Sequence, residues 1–262
     1  MSDGMLAGLT VLVSGVGPGL GREITTAALR EGAQVMMAAR TEARLKQIGE
    51  EVDPSGDRLA WHVTDIAEAA QCNDLVAAAL ARFGHLDAVV HCAAVDNVMG
   101  GLRQADFADL DRVLGVNLYG TLYLTRAALE PLAASGRGSI VVIGAQSSIS
   151  GAVPQLFYSA SKGALTSAMR HLAAEVGPQL IRVNSVVPGW MYGPPVEGYV
   201  RMEAEHRQVT ADAVLAELTA SMPLGRMATD GDVAETAVFF ASPRSKGITG
   251  QTLLVNAGEI MR

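Results

Sequence analysis

Ser14-Gly15-Val16-Gly17-Pro18-Gly19-Leu20-Gly21 sets a cluster of glycines between an apolar run and a helical pattern. The run, Leu9–Ser14, reads as a strand buried on both faces. The helix, Leu20–Glu31, is closed by Gly32. Gly15 supplies a sharp turn of positive φ. Gly19, lacking a side chain, lets phosphates approach the backbone, and Gly21 lets the helix pack close to the sheet. The helix N-terminus offers free N–H groups and partial positive charge. An ordinary glycine-rich turn is the alternative. The position in a first βα turn favours a site for a dinucleotide's pyrophosphate. The spacing is GxxxGxG. It is neither GxGxxG nor a Walker loop, because no Gly-Lys-Ser/Thr follows.

The pattern continues on the C-terminal side. Gln34–Ala39 reads as a second strand, Thr41 as the cap of the next helix, and Leu59–Val63 as a third strand. Leu75, Val76, Ala79, Leu80 and Phe83 mark one helix face, with Cys72 on it. Asp87–His91 is a fourth strand. Phe107, Leu110, Leu114 and Leu118 form a stripe on a long helix reaching about Leu132. Ser139–Ile143, Arg182–Val187 and Thr252–Val255 read as further strands. Phe157–Val176 and Gly231–Ala241 read as helices, with a less regular region, Pro188–Met222, before the last helix. Alternating strands and helices predict an α/β Rossmann fold: a doubly wound, parallel, seven-stranded sheet with helices on both faces. Such sheets bind ligands at the carboxyl ends of their strands. No composition break, linker or repeat divides the chain, so residues 1–262 read as a single cofactor-binding and catalytic domain.

Composition narrows the function. Of 262 residues, 49% are hydrophobic and 18% charged, enough apolar matter for a large core. Twenty basic against 27 acidic residues give a net charge of −7, which supplies no field for nucleic acid. Cys72 and Cys92 match no CxxC or zinc-ligand spacing, so no metal is expected and the thiols suit a reducing compartment. The start, Met1-Ser2-Asp3-Gly4, has neither a basic nor an apolar leader, and no stretch reaches the ~18 apolar residues of a membrane span. A cytoplasmic protein without membrane or nucleic-acid partners is expected.

Tyr158-Ser159-Ala160-Ser161-Lys162 is a YxxxK motif on the helix after the fifth strand. The i, i+4 spacing puts Tyr158 and Lys162 on one face. A tyrosine with its usual pKa near 10 is a poor base near pH 7, and a nearby ammonium is expected to lower that value. Such a pair suits proton exchange with an alcohol or carbonyl oxygen during hydride transfer. Standing by itself, YxxxK would read as two residues on a helix surface.

Together with the GxxxGxG loop, this motif resembles the short-chain dehydrogenase/reductase family, from about Leu6 to Glu259. Asp232-Val233-Ala234 and Ile248-Thr249-Gly250-Gln251 resemble its C-terminal signature. The resemblance implies an NAD(P)(H)-dependent oxidoreductase acting on an alcohol or ketone. Ser14 stands where the family's glycine motif carries Thr. Lys162 would also bond the nicotinamide ribose, and Asn117 would hold a water in a proton relay to that lysine; a structural hydrogen bond is the alternative for Asn117. The implied cofactor-binding residues are Ser14, Gly15, Gly19, Leu20, Gly21, Arg40, Asp65, Ile66, Cys92, Ala93, Ala94, Tyr158, Lys162, Pro188, Gly189 and Trp190. Asp65 is like the family's adenine contact, with a helix N-cap as its alternative, and Pro188-Gly189 is like its turn over the nicotinamide.

The second strand ends at Ala39 without the carboxylate that selects NAD, and Arg40 follows. A guanidinium there can fork onto a 2′-phosphate, so NADP(H) is favoured over NAD(H). In the competing reading Arg40 is a surface arginine or stacks on adenine.

Three positions depart from the family. Ala145 stands where its catalytic serine is expected; Ser147 is taken as the substitute, with Ser148 beside it. His91-Cys92-Ala93-Ala94 replaces NNAG; His91 reads as a buried structural histidine rather than an acid. Gly193 stands where a threonine often bonds the carboxamide. Residues 188–222 are expected to form a lid, and Trp190, Met191, Tyr192, Pro194, Pro195, Val196 and Tyr199 suit a bulky apolar small-molecule substrate, unless they pack on the protein itself. Ala160, Gly163, Ala164, Ser167 and Ala168 permit close helix contact, and the resemblance implies a homo-oligomer, a tetramer or dimer. Ala145 motivates the competing function, a cofactor-binding sensor or scaffold with little catalysis. An epimerase is a weaker reading, since those usually carry a larger substrate domain.

Overall fold

The computed structural model describes residues 4–151 and 154–261, so Met1-Ser2-Asp3, part of the N-terminal reading, lies outside the described residues. Strands β1 (Thr10–Ser14), β2 (Gln34–Ala39), β3 (Leu59–Val63), β4 (Ala88–His91), β5 (Ser139–Ile143) and β6 (Arg182–Pro188) alternate with helices. These are α1 (Leu20–Arg30), α2 (Glu42–Val52), α3 (Ala69–Phe83), α4 (Phe107–Leu114), α5 (Thr121–Ala134) and α6 (Leu156–Val176). After β6 come β7 (Met191–Tyr192), α7 (Pro194–Arg207), α8 (Ala211–Thr219), β8 (Ala228–Thr229), α9 (Asp230–Ala241) and β9 (Thr252–Val255).

The main sheet has seven strands in the order β3-β2-β1-β4-β5-β6-β9, all pairs parallel. Strand alternation sends successive side chains to opposite faces. Val11 and Val13 therefore join Ile24 and Ala28 of α1 and Val233 and Ala237 of α9 in one core. Leu12 points the other way, into a second core with Leu75 of α3, Leu124 of α5 and Met169 of α6. This double burial explains why β1 reads as an unbroken apolar run. The chain order reverses between β1 and β4, and their carboxyl ends place the glycine loop beside His91 and Cys92.

Three local expectations are corrected. Residues 188–222 are regular: α7 and α8 pack through Val196, Val200, Ala204 and Val214 into a small core of their own. Short, mixed apolar spacing hid their period. Thr41 precedes α2, but its hydroxyl makes no cap bond. The stripe Phe107–Leu110–Leu114–Leu118 is not the buried face. A π-helical turn, Gly115–Gly120, joins α4 to α5, and its wider winding rotates the inward side. Val113, Asn117, Gly120, Thr121 and Leu124 are buried, whereas Phe107 is exposed and Leu110, Leu114 and Leu118 are half-buried.

Candidate active site

The glycine loop fits a dinucleotide by three observations. Gly15 has φ +80°, and a Cβ there would lie 2.3 Å from the Ala93 backbone. A Cβ on Gly21 would lie 2.6 Å from the Gly15 carbonyl oxygen, so α1 starts hard against its own loop. No side chain caps α1, and the buried Ser14 hydroxyl has no hydrogen-bond partner among the described residues. Free N–H groups and an orphaned hydroxyl at a helix N-terminus are what an anionic ligand completes. Gly21→Ala is expected to destabilise the protein by about 1–3 kcal/mol through overpacking. Denaturant unfolding with unchanged slope checks it.

Arg40 follows β2, is exposed, and makes no hydrogen bond or ion pair among the described residues. Asp65 lies after β3; one carboxylate oxygen accepts from Ala67 N at 3.0 Å, closing a turn rather than capping α3, whose N-cap is Glu68. Ile66 is buried against Gly120. Ala93 touches the glycine loop and Ala94 is exposed.

Tyr158 and Lys162 sit on one face of α6, with the Lys162 Nζ 5.7 Å from the Tyr158 ring centroid. Lys162 is 2% exposed and donates to the Ile143 carbonyl at the end of β5 at 2.7 Å. Burial lowers its pKa to about 8, although Cys92 and Asp96 act in the opposite direction. The tyrosine departs from expectation. Burial, then the Asp96 and Cys92 charges, push the Tyr158 phenol above its ordinary value instead of lowering it. Desolvation of the phenolate is the largest cause of that direction. Tyr158 therefore keeps its proton throughout the neutral range.

Asn117 lies in the π turn, fully buried. Its Oδ1 accepts from Val95 N at 2.7 Å, and its Nδ2 donates to Val95 O at 3.1 Å and to Ser161 Oγ at 3.0 Å. Ser161 Oγ in turn donates to the Tyr158 carbonyl at 2.7 Å. The asparagine thus ties the loop after β4 to the Tyr158 turn of α6. Ser161 stands inside the YxxxK motif, yet its side chain was not singled out in the sequence.

Ala145 is buried and apolar. Ser148 Oγ donates to the Ala145 carbonyl at 2.7 Å, whereas the buried Ser147 hydroxyl has no partner among the described residues. Ser147, not Ser148, is the free hydroxyl. Between them and the C-terminus runs a network that sequence reading missed. Gln146 Nε2 donates to Glu259 at 2.7 Å, and Asn256 Nδ2 donates to Gln146 Oε1 at 2.7 Å. A Cβ on Gly189 would lie 2.8 Å from Asn256 Cβ, so the Pro188-Gly189 turn is clasped by the same residues.

His91 is 2% exposed, and its Nε2 lies 3.0 Å from Thr125 Oγ1. Burial and the Lys162 charge lower its pKa to about 3, so the imidazole is neutral, and its buried Nδ1 has no hydrogen-bond partner among the described residues. Burial pushes the Cys92 thiol up to about 12. Trp190 packs on the α7–α8 core, its ring 5.7 Å from that of Tyr199, while Tyr192 is exposed.

A two-sided parallel sheet, an uncapped glycine loop at its switch point and a buried lysine beside a protonated tyrosine define a nucleotide-dependent oxidoreductase. The profile of the family described as enoyl-(acyl carrier protein) reductase matches residues 15–259. The short-chain reductase protein NovJ of Streptomyces niveus is 32% identical, covering 94% of this chain and 92% of that protein. The L-fucose dehydrogenase of Mus musculus is 34% identical over 96% of this chain and 88% of its own. A crystal structure of a short-chain dehydrogenase/reductase from Brucella melitensis, of the glucose/ribitol dehydrogenase group, superposes with TM-score 0.88 at 27% identity, covering both chains completely. The chain belongs to the short-chain dehydrogenase/reductase family. It is an oxidoreductase of CH–OH and C=O groups that works with a nicotinamide cofactor. Among the described residues, no helix is long and apolar enough to cross a membrane.

Proposed function

We propose that this enzyme is an NADP(H)-dependent carbonyl reductase or alcohol dehydrogenase of bulky apolar substrates, with Tyr158 as proton donor. The observation that carries this reading is the buried Lys162, fixed on Ile143 beside the raised phenol of Tyr158. When bound, the nicotinamide supplies or accepts the hydride. Tyr158 gives its proton to the developing alkoxide, and Lys162 stabilises the phenolate that remains. Ser147 donates to the substrate oxygen in place of the missing serine at Ala145. Asn117 keeps Tyr158 in register through Ser161.

The whole chain acts as one domain, with 188–222 as its lid. Exposed Tyr192, Tyr199 and Met202 give that segment an apolar surface for substrate, while Trp190 and Val196 brace it from within. Ala160, Ala164 and Ser167 are exposed on α6, a smooth face suited to pairing in a homo-oligomer. Free Cys72 and Cys92 suit the cytoplasm.

The unpaired Arg40 supports NADP(H). Arg40→Ala is expected to weaken NADPH roughly ten- to hundredfold, the worth of a charge-assisted pair, and to leave NADH nearly unchanged. Nicotinamide fluorescence titration reads both. Equal losses for the two cofactors would remove the 2′-phosphate assignment. The apolar Ala145 favours the sensor or scaffold as second reading. Tight cofactor binding without turnover of any ketone or alcohol would establish it.

A further inference from the structure

The mouth of the glycine loop faces a carboxylate, in the first turn of α9, to which the proposed chemistry gives no part. Asp230 is the first residue of α9 and is half-buried. A Cβ on Gly19 would lie 3.2 Å from its Oδ2, and one on Gly193 would lie 3.8 Å from the same oxygen. Asp230 thus stands between the α1 N-terminus and the first residues of the lid. Its carboxylate makes no hydrogen bond and no ion pair among the described residues. Glu23 of α1, the other acid whose charge reaches it, is already paired with Arg22 at 2.9 Å. Burial, and then Glu23, raise the Asp230 pKa, as expected of a carboxylate without a counter-charge.

We propose that Asp230 is a cofactor-release residue: its charge repels the cofactor's pyrophosphate at the Gly19 cradle, weakening the grip and speeding departure. The inference rests on the reading of the glycine loop as a nicotinamide-cofactor site. At about 4 Å, two like unit charges oppose each other by about 1 kcal/mol even in water, about fivefold in affinity. An enzyme whose cofactor must leave after every turnover gains speed from that repulsion where release limits kcat. Gly19 and Gly193 leave the carboxylate room beside both segments.

The test compares wild type with Asp230→Asn, which keeps the shape, and Asp230→Ala, which removes the side chain. NADPH binding is followed by nicotinamide fluorescence, its departure by stopped-flow chase, and ADP and adenosine by competition. Both variants are expected to bind NADPH and ADP at least about fivefold tighter, with NADPH release slowed to match. Adenosine, which carries no phosphate, is expected to bind all three proteins alike. Glu235→Gln, on the same helix but paired with Arg30 at 2.7 Å, is expected to leave NADPH affinity unchanged. Wild type that binds NADPH, with variants that bind NADPH and ADP no tighter, overturns this inference alone. Tightening that extends equally to adenosine also overturns it, because a general change in the cleft would then be the cause. Wild type that binds neither NADPH nor NADH overturns the cofactor reading and this inference together.

Discussion

Tyr158→Phe is expected to lower kcat for ketone reduction by roughly 100- to 10,000-fold, the usual range for a removed general acid. NADPH affinity is expected to survive, since the glycine loop and Arg40 are untouched. The argument rests on the direction in which Tyr158 titrates. Burial raises its phenol, so the donor stays charged with its proton across neutral pH. The group that changes state is Lys162, whose pKa is lowered by burial to about 8. As pH rises through that value the ammonium is lost, and with it the charge that stabilises the phenolate product. The rate of reduction is therefore expected to be level at neutral pH and to fall on the alkaline side of about pH 8. Single-turnover oxidation of NADPH by a ketone, followed across pH, checks both statements. A Tyr158→Phe variant with unchanged turnover would remove the tyrosine from the mechanism.

Ser147→Ala is the second large effect. One donor lost from a developing oxyanion lowers the rate by roughly 100- to 1,000-fold. The structure separates Ser147 from its neighbour: the Ser147 hydroxyl is buried and unpartnered among the described residues, whereas that of Ser148 is spent on Ala145 O at 2.7 Å. Ser148→Ala is expected to change kcat less than Ser147→Ala, with any loss traced to a loosened loop by a lower thermal midpoint. Steady-state kinetics on the two variants, with thermal unfolding as control, distinguishes them. A loss at Ser148 alone would reverse the assignment, and intact rates in both would leave Tyr158 to hold the substrate oxygen unaided.

Strands and loops with a strong local rule were legible in the sequence. β2 and β5 fall where the apolar runs put them, because a strand buried on both faces needs a near-continuous run of such residues; the half-exposed edge strands β3 and β9 also fall at the expected residues. The glycine loop was legible because Gly15 and Gly21 have no space for a side chain. The pairing of Tyr158 with Lys162 was legible from i, i+4 spacing alone.

What sequence periodicity missed depends on geometry that a period of 3.6 does not carry. The π turn at 115–120 turned the buried face from Phe107, Leu114 and Leu118 to Val113, Asn117 and Leu124. The helices α7 and α8 bury few residues each, so their stripes are weak. The direction of the Tyr158 shift follows from burial, which no motif records. Gln146, Asn256 and Glu259 meet only after the C-terminal strand is laid beside β6, and Asp230 meets Gly19 only when α9 packs on α1. No local pattern marks such contacts between distant residues.

The most direct measurement is a titration of the purified enzyme with NADPH and NADH, followed by addition of a panel of bulky ketones to the NADPH complex. The expected result is tighter binding of NADPH than NADH, and oxidation of the bound NADPH by at least one ketone in wild type but not in Tyr158→Phe. Tight binding of NADPH that no ketone oxidises, with no alcohol reducing NADP either, would contradict the assignment of Tyr158 as proton donor and leave a cofactor-binding protein without that chemistry.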